Sequence, residues 1–283
     1  MRALMMRLER AAGLDRFGDR LQNAVQSVLR PQKVRDTLHG VWLGHPLHPA
    51  LVQLPIGAWL STAVLDLMPG QRRAATVLVT VGTASALPAA VAGLNDWAAL
   101  SREQRRVGLV HAMSNTVGLA CYAGSIAARL TGRHRLGRTL GWFGLTAAST
   151  GAYIGGHLAY KQGAQVNQSV SELHRMADGW HSVADLSTVP ERTLLTREVR
   201  DVSVILYRHG DEVTVMLERC PHQSGPLGEG KVTEVDGHAC VVCPWHGSTF
   251  QLNGGEVVHG PAATDQQVLP TRVVDGVLQT RLP

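Results

Sequence analysis

From residue 49 to residue 160 the chain is built mainly from Ala, Gly, Leu and Val, and its charges fall in short interruptions. Four long apolar stretches result, over residues 49–68, 74–94, 107–128 and 140–160, and only the first contains a formal charge, Asp66 near its end. About 20 helical residues at roughly 1.5 Å each cover a hydrocarbon core of about 30 Å. A soluble helix of that length normally carries a charged face, and these four do not. The pattern therefore predicts an N-terminal four-helix transmembrane bundle. Small residues at Gly82, Ala84, Ser85, Gly118, Gly124, Gly151, Gly155 and Gly156 suit close packing of membrane helices. Pro55 and Pro88 are tolerated more readily in spanning helices than in soluble ones.

The flanks read differently. Residues 1–39 are broken by charges, which argues against a cleavable secretory signal. Within them Leu4, Leu8, Leu14, Phe17, Leu21, Val25 and Val28 recur at mostly helical spacing among arginines. Two readings fit: a helix on the anionic leaflet, or one packed on the protein's own domains. Residues 161–190 are polar and read as a linker with a short helix around 169–176. From Glu191 the texture is that of strands, with 202–207 and 212–217 separated by the turn Arg208-His209-Gly210-Asp211. Gly225-Pro226, Gly260-Pro261 and Asp275-Gly276 punctuate further short strands. The expected organisation is a basic amphipathic segment (1–40), a four-helix transmembrane domain (41–160), a linker (161–190) and a small all-β domain (191–283).

The chain has 283 residues and a formal net charge of +5, and the placement of that charge matters more than its size. Twelve Lys or Arg flank the apolar stretches on the side of the termini, and six lie on the other side. The positive-inside rule then puts both termini and the β domain in the cytoplasm of a bacterial cell, with four spans in its membrane. The lipid membrane is an expected partner, and nucleic acid is not. Four cysteines are too few for a disulfide scaffold, so their spacing points to metal chemistry.

That spacing is Cys220-x-His222, a gap of twenty residues, then Cys243-x-x-His246. A zinc ribbon built on Cys240-x-x-Cys243 needs a second knuckle of similar spacing, and Cys220-x-His222 is too tight for one. Two Cys and two His in two loops suit a [2Fe–2S] cluster in which thiolates hold one iron and neutral imidazoles the other. On this reading Cys243 is a ligand and Cys240 is a strand residue.

At these residues the sequence resembles the Rieske iron–sulfur family, over residues 191–282. CPHQSGPLGEG at 220–230 resembles the first cluster-binding loop, CPWHGSTF at 243–250 the second, and GPA at 260–262 the proline loop that covers the cluster. The resemblance implies that Cys220 and Cys243 hold the buried iron and that His222 and His246 hold the exposed one. The gap between motifs is longer than usual in the family, which suggests a surface turn around 236–238. Gly225 and Trp245 stand where the cytochrome bc members carry a disulfide, so that bridge is absent here, as suits a reducing compartment. Ser248 matches a serine that donates to a bridging sulfide, whereas Phe250 replaces a tyrosine donor. Hydrogen bonds to cluster sulfurs raise the potential, so a value in the lower or middle part of the range of about −150 to +300 mV is expected.

Intramembrane histidines are usually functional or buried within the bundle. His48, His111 and His157 all fall near one end of the apolar helices. They are candidates for binding a b-type haem, a quinone head group or a metal, as well as for plain helix–helix hydrogen bonding. The segment GHPLHPALVQLPIG resembles that of a bacterial four-helix membrane domain of uncharacterised function, which supplies an architecture and no chemistry. The chain has no GxGxxG fingerprint and nothing resembling a mononuclear iron domain. The expected function is therefore one-electron transfer, with a protein or quinone as donor and acceptor, in service of an oxidoreductase system rather than as a complete enzyme. The alternative is a redox-sensing or assembly protein whose cluster state regulates the membrane domain.

Overall fold

The computed structural model describes residues 2–175 and 178–281. Met176, at the end of the expected linker helix, and Leu282 and Pro283, at the end of the expected β domain, lie outside the described residues. The chain folds as two compact units. One comprises Met1–Pro31 and Pro46–Ala164, and the other Gln32–His45 and Gln165–Pro283. The segment read as one amphipathic stretch, 1–40, is thus divided between them after Pro31.

The helices in chain order are α1 (Arg2–Glu9), α2 (Asp15–Val28), α3 (Gln32–His39), α4 (Leu47–Leu51), α5 (Gln53–Leu67), α6 (Arg72–Trp97), α7 (Arg102–Leu130), α8 (His134–Tyr160) and α9 (Val170–Leu173). All four apolar stretches are helical. Helices α4 and α5 are separated only at Val52, where Pro55 has no N–H to return to the Leu51 carbonyl. Two helices, Leu47–Leu67 and Arg72–Trp97, are long and apolar enough to cross a membrane by length and composition. The expectation of four such helices is met in part. Helices α7 and α8 have the length, 29 and 27 residues, but polar positions such as Ser114, Asn115 and Thr116 dilute α7. A capping box fixes the start of α7, in which the Ser101 hydroxyl accepts from the Gln104 N–H and the Gln104 side chain accepts from the Ser101 N–H.

Close approach in the helical unit is arranged by setting aromatic rings against glycines. A side chain at Gly82 would meet the Trp59 ring at 2.8 Å, and one at Gly108 the Trp97 ring at 2.5 Å. The N-terminal residues pack on these helices. Met5 and Val25 share a core with Trp97, Val107, Ile154 and Leu158. Arg106 pairs with both oxygens of Asp15 at 2.7 Å, and Arg105 pairs with Asp19 at 2.7 Å. Among the described residues, four of the arginines counted in the charge balance (Arg102, Arg105, Arg106 and Arg129) are therefore matched by carboxylates. The Arg129 fork meets Asp66 at 2.9 and 2.5 Å with both side chains almost fully buried.

The second unit carries eleven described strands: β1 (His181–Asp185), β2 (Leu195–Val199), β3 (Val202–His209), β4 (Glu212–Leu217), β5 (Lys231–Val235), β6 (His238–Val242), β7 (Thr249–Gln251), β8 (Val257–His259), β9 (Val268–Leu269), β10 (Thr271–Val274) and β11 (Val277–Thr280). They form antiparallel sheets in the orders β1-β11-β10, β2-β3-β4-β9 and β5-β6-β7-β8. Strand β1 lies inside the stretch read as linker, because its polar sequence HSVAD gives no apolar alternation. Strand β3 is apolar on both faces: Val202, Val204 and Leu206 enter one core, and Ile205 and Tyr207 the other. The expected turn before β4 is the two-residue Gly210-Asp211, with Gly210 at φ 63°. The expected surface turn is Asp236-Gly237, both at positive φ, which matches a type I′ hairpin joining β5 to β6.

Removing one partner of a buried ion pair leaves an uncompensated charge and costs about 3–5 kcal/mol. Asp66→Ala should therefore lower the unfolding stability of the helical unit by that order, and joint replacement of Asp66 and Arg129 by Leu should recover most of it. Unfolding in detergent, followed by helical circular dichroism, checks both, and an unchanged Asp66→Ala protein would contradict the pairing.

Candidate metal centre

Two loops bring the motif residues together, one between β4 and β5 and the other between β6 and β7. They use the same backbone turn. In the first, the Cys220 N–H donates to the Gly225 carbonyl at 2.9 Å and the Ser224 N–H to the Cys220 carbonyl at 2.9 Å. In the second, the Cys243 N–H donates to the Ser248 carbonyl at 2.8 Å and the Gly247 N–H to the Cys243 carbonyl at 3.0 Å. The fifth residue of each turn, Ser224 or Gly247, is left-handed, at φ 57° and 78°. Such a turn aims backbone N–H groups at the cysteine it follows. His222 and Gln223 donate to the Cys220 sulfur, and Trp245 and His246 to the Cys243 sulfur.

The four side chains separate by type. The Cys220 and Cys243 sulfurs, both buried, lie within hydrogen-bonding reach of each other, which pushes Cys220 up and Cys243 down. The His222 and His246 rings stand edge to face with centres 5.0 Å apart. Two imidazoles bonded at about 2 Å to one tetrahedral metal hold their centres about 5 Å apart. Among the described residues no three of His, Cys, Asp and Glu converge on a single point. The arrangement thus offers a sulfur pair and an imidazole pair, rather than four donors for one ion.

His222 carries the clearest sign of a missing partner. It is 4% exposed, and neither ring nitrogen has a hydrogen-bond partner among the described residues. Burial pushes this imidazole down to about 3, with His246 and His39 adding to the effect, so it is neutral at pH 7. Buried polar atoms are otherwise almost always satisfied, and a neutral imidazole with a free lone pair is the form that ligates metal. His246 differs in being exposed, although the resemblance implied both histidines at an exposed iron.

The surroundings fit. Ser248 is fully buried, and its Oγ accepts from the Ala262 N–H at 2.9 Å, which leaves its own hydrogen to donate. Phe250 is fully buried in the core that includes Cys220, Cys243 and Leu227 and carries no donor. Tyr207, in the same core, has a buried hydroxyl without a partner among the described residues. At Gly225 a side chain would strike the Cys243 sulfur at 2.7 Å, which is why glycine stands there. All four cysteines are free thiols. Cys240 lies on β6 with its thiol toward the His238 carbonyl at 3.4 Å, away from the site.

Three contributors had no sequence signal. Asp36 on α3 accepts from the Gly260 N–H at 2.9 Å and meets His259 Nδ1 at 3.0 Å. His39, one turn further, lies buried against Gly260, where a side chain would meet its ring at 2.7 Å. The Gln168 N–H donates to the Pro221 carbonyl at 2.9 Å. A charged segment and a polar linker, distant in sequence, thus brace the proline loop and the first cysteine loop.

Of the three histidines in the helical unit, two come together. His48 and His111 face each other with ring centres 6.3 Å apart. His157 is separate, with Nε2 at 2.8 Å from Glu9, which Lys161 also meets at 2.7 Å.

Comparison with known proteins agrees with this division. Residues 179–271 match the Rieske [2Fe-2S] domain family, and residues 44–168 match a family described as a predicted membrane protein, DUF2231. A human Rieske domain-containing protein is 40% identical over 62 residues, which are 22% of this chain and 40% of that protein. The anthranilate 1,2-dioxygenase ferredoxin subunit of Burkholderia cepacia is 27% identical over 103 residues, 36% of this chain and 92% of that protein. Among solved structures, the ferredoxin of carbazole 1,9a-dioxygenase from Nocardioides aromaticivorans is 19% identical, covering 38% of this chain and 100% of that one with a TM-score of 0.34. The chain thus carries a Rieske [2Fe-2S] domain over residues 179–271 and, in front of it, a DUF2231 predicted membrane protein domain over residues 44–168.

Proposed function

We propose that the protein is a membrane-anchored Rieske-type electron-transfer component, in which Cys220 and Cys243 hold one iron of a [2Fe–2S] cluster and His222 and His246 the other. The observation that carries this reading is the buried His222 ring, both of whose nitrogens lack a partner among the described residues, beside a sulfur pair delivered by a matching loop. When bound, the cluster supplies exchange of one electron at a time. The chain's own contribution is to present a neutral imidazole at His222 and hydrogen-bonded sulfurs, to exclude water on the His222 side and to leave His246 accessible. Trp245, 57% exposed beside His246, makes that edge the docking side for a redox protein. Likeness to a dioxygenase ferredoxin subunit supports a carrier rather than a terminal catalyst.

Four spans, with the termini and the Rieske domain in the cytoplasm, remain the topology we favour. The two apolar helices support anchoring, and four cysteines joined in no disulfide suit a reducing compartment.

Purified full-length protein should contain about two irons and two acid-labile sulfides per chain, and Cys220→Ala or Cys243→Ala should lose both. Stoichiometric zinc without sulfide would contradict the assignment. Ser248→Ala should lower the midpoint potential. A hydrogen bond to a charged group is worth about 1.5–3 kcal/mol, which for one electron is about 60–130 mV. Redox titration checks this, and an unmoved potential would remove Ser248 from the set of donors. A cysteine introduced as Glu234→Cys, on an exposed strand position, should react with a membrane-impermeant thiol reagent in inside-out vesicles and not in right-side-out ones. The reverse result would invert the topology.

A further inference from the structure

The four long helices are two copies of one helical hairpin. In their first helices an offset of 63 residues relates His48 to His111, Trp59 to Tyr122 and Asp66 to Arg129. Each of these residues touches its own counterpart. The histidine rings are 6.3 Å apart, Trp59 stacks on Tyr122 at 4.3 Å with 12° between the planes, and Asp66 pairs with Arg129. In the second helices the offset is 62 residues. Gly82 faces the Trp59 ring as Gly144 faces the Tyr122 ring, and Gly93 faces the His48 ring as Gly155 faces His111. Residues that contact their own equivalents lie on a two-fold axis. The hairpin of α4, α5 and α6 and the hairpin of α7 and α8 are therefore related by a quasi-two-fold axis running between α5 and α7.

Two of the three axial pairs are complete: one is a stack and the other an ion pair. The histidine pair is built differently. His48 Nδ1 donates to the Ala89 carbonyl at 2.8 Å, four residues before the glycine that seats its ring. His111 Nδ1 donates to the Gly151 carbonyl at 2.8 Å, again four residues before its glycine. A carbonyl only accepts, so both rings carry their proton on Nδ1 and, when neutral, their lone pair on Nε2. A metal-ligating histidine usually donates its other ring N–H to a backbone carbonyl or a carboxylate, which fixes its tautomer and orientation. Here it occurs twice, at equivalent positions, each in a glycine notch. The Asn115 amide nitrogen donates to the His111 carbonyl at 3.0 Å and lies against the ring, 3.2 Å from Nε2 and 3.5 Å from Nδ1, so it is not in line with the Nε2 lone pair.

We propose that His48 and His111 are the two protein ligands of a metal centre on this axis, bound through imidazoles on opposite sides of the metal. Two imidazoles bonded at about 2 Å on opposite sides of one metal hold their ring centres about 6 Å apart, close to the 6.3 Å observed. The tetrahedral spacing at His222 and His246 is shorter, 5.0 Å. Opposed imidazoles are the coordination offered to a two-coordinate cuprous ion and equally to the axial positions of a haem iron, so either source meets the same chemistry. His157, engaged by Glu9, is outside the site. The proposal stands independently of the iron–sulfur cluster.

The test uses full-length protein, purified in detergent with its cluster, offered haemin in one arm and anaerobic Cu(I) with a competing chelator in the other. One of the two probes should bind at one per chain. Its affinity should fall at least tenfold in His48→Gln and in His111→Gln alike, while His157→Gln binds as wild type. Glutamine keeps a donor toward the Ala89 and Gly151 carbonyls, and an unchanged thermal midpoint separates loss of a ligand from loss of the fold. A haemin arm that wins gives a Soret band, and a Cu(I) arm that wins gives stoichiometric copper without one. Stoichiometric binding of neither probe, or binding that survives either glutamine variant, overturns the proposal.

Discussion

The hydrogen-bonded turn that follows Cys220, repeated after Cys243, is the constraint from which the rest of the site proceeds. Each turn closes on its cysteine's own N–H and carbonyl and passes through one left-handed residue. In doing so it points two backbone N–H groups at the sulfur. It also throws the histidine two or three residues on to the opposite side of the loop. Because the two turns match, sulfur meets sulfur and imidazole meets imidazole, although the chain order alternates Cys, His, Cys, His. Each strand pair that anchors a loop then has one task, to hold the turns face to face. The fully buried Phe250 and Leu227 do this from the core side, and Ser248 ties the second loop to the proline loop through Ala262.

In the helical unit the organising device is a large side chain set into a glycine notch on the neighbouring helix. It recurs at Trp59, Trp97, Tyr122, His48 and His111. Where the hydrophobic effect between helices is weak, as in lipid, close packing of this kind and interhelical hydrogen bonds hold a bundle together. Ion pairs to Asp15, Asp19 and Asp66 neutralise several arginines. A count of loop charges therefore overstates the positive charge available to orient the chain.

Much of this was legible in the sequence, and the limits are physical. The four apolar stretches emerged as helices because about twenty residues with at most one charge among them have little else to become. The hairpin turn at Gly210-Asp211 was visible because only certain residues accept positive φ, and the one at Asp236-Gly237 because the gap between the cysteine motifs is longer than usual in the family they resemble. The two cysteine loops were legible from their spacing alone. Strand β1 was not, since it is short and polar and gains its place by pairing with β11 at the far end of the chain. Asp36 and His39 were equally hidden. A charged helix reveals nothing of a proline loop more than two hundred residues away, and the shared brace exists only in three dimensions. The burial of His222 but not of His246 depends on packing that no motif encodes. The hairpin repeat also escaped a residue-by-residue reading, because it preserves positions and contacts (His on His, ring on ring, acid on base) more than it preserves residue identity.

The central claim is that imidazole nitrogen, as well as cysteine sulfur, ligates the iron. Pulsed electron paramagnetic resonance on the dithionite-reduced full-length protein tests it most directly, because ligating nitrogen leaves a hyperfine coupling on the cluster's unpaired spin. The account predicts coupling from two imidazole nitrogens, with one lost when His246 is replaced by Cys. A reduced protein whose spin shows no nitrogen coupling, or one with no spin at all, would contradict it.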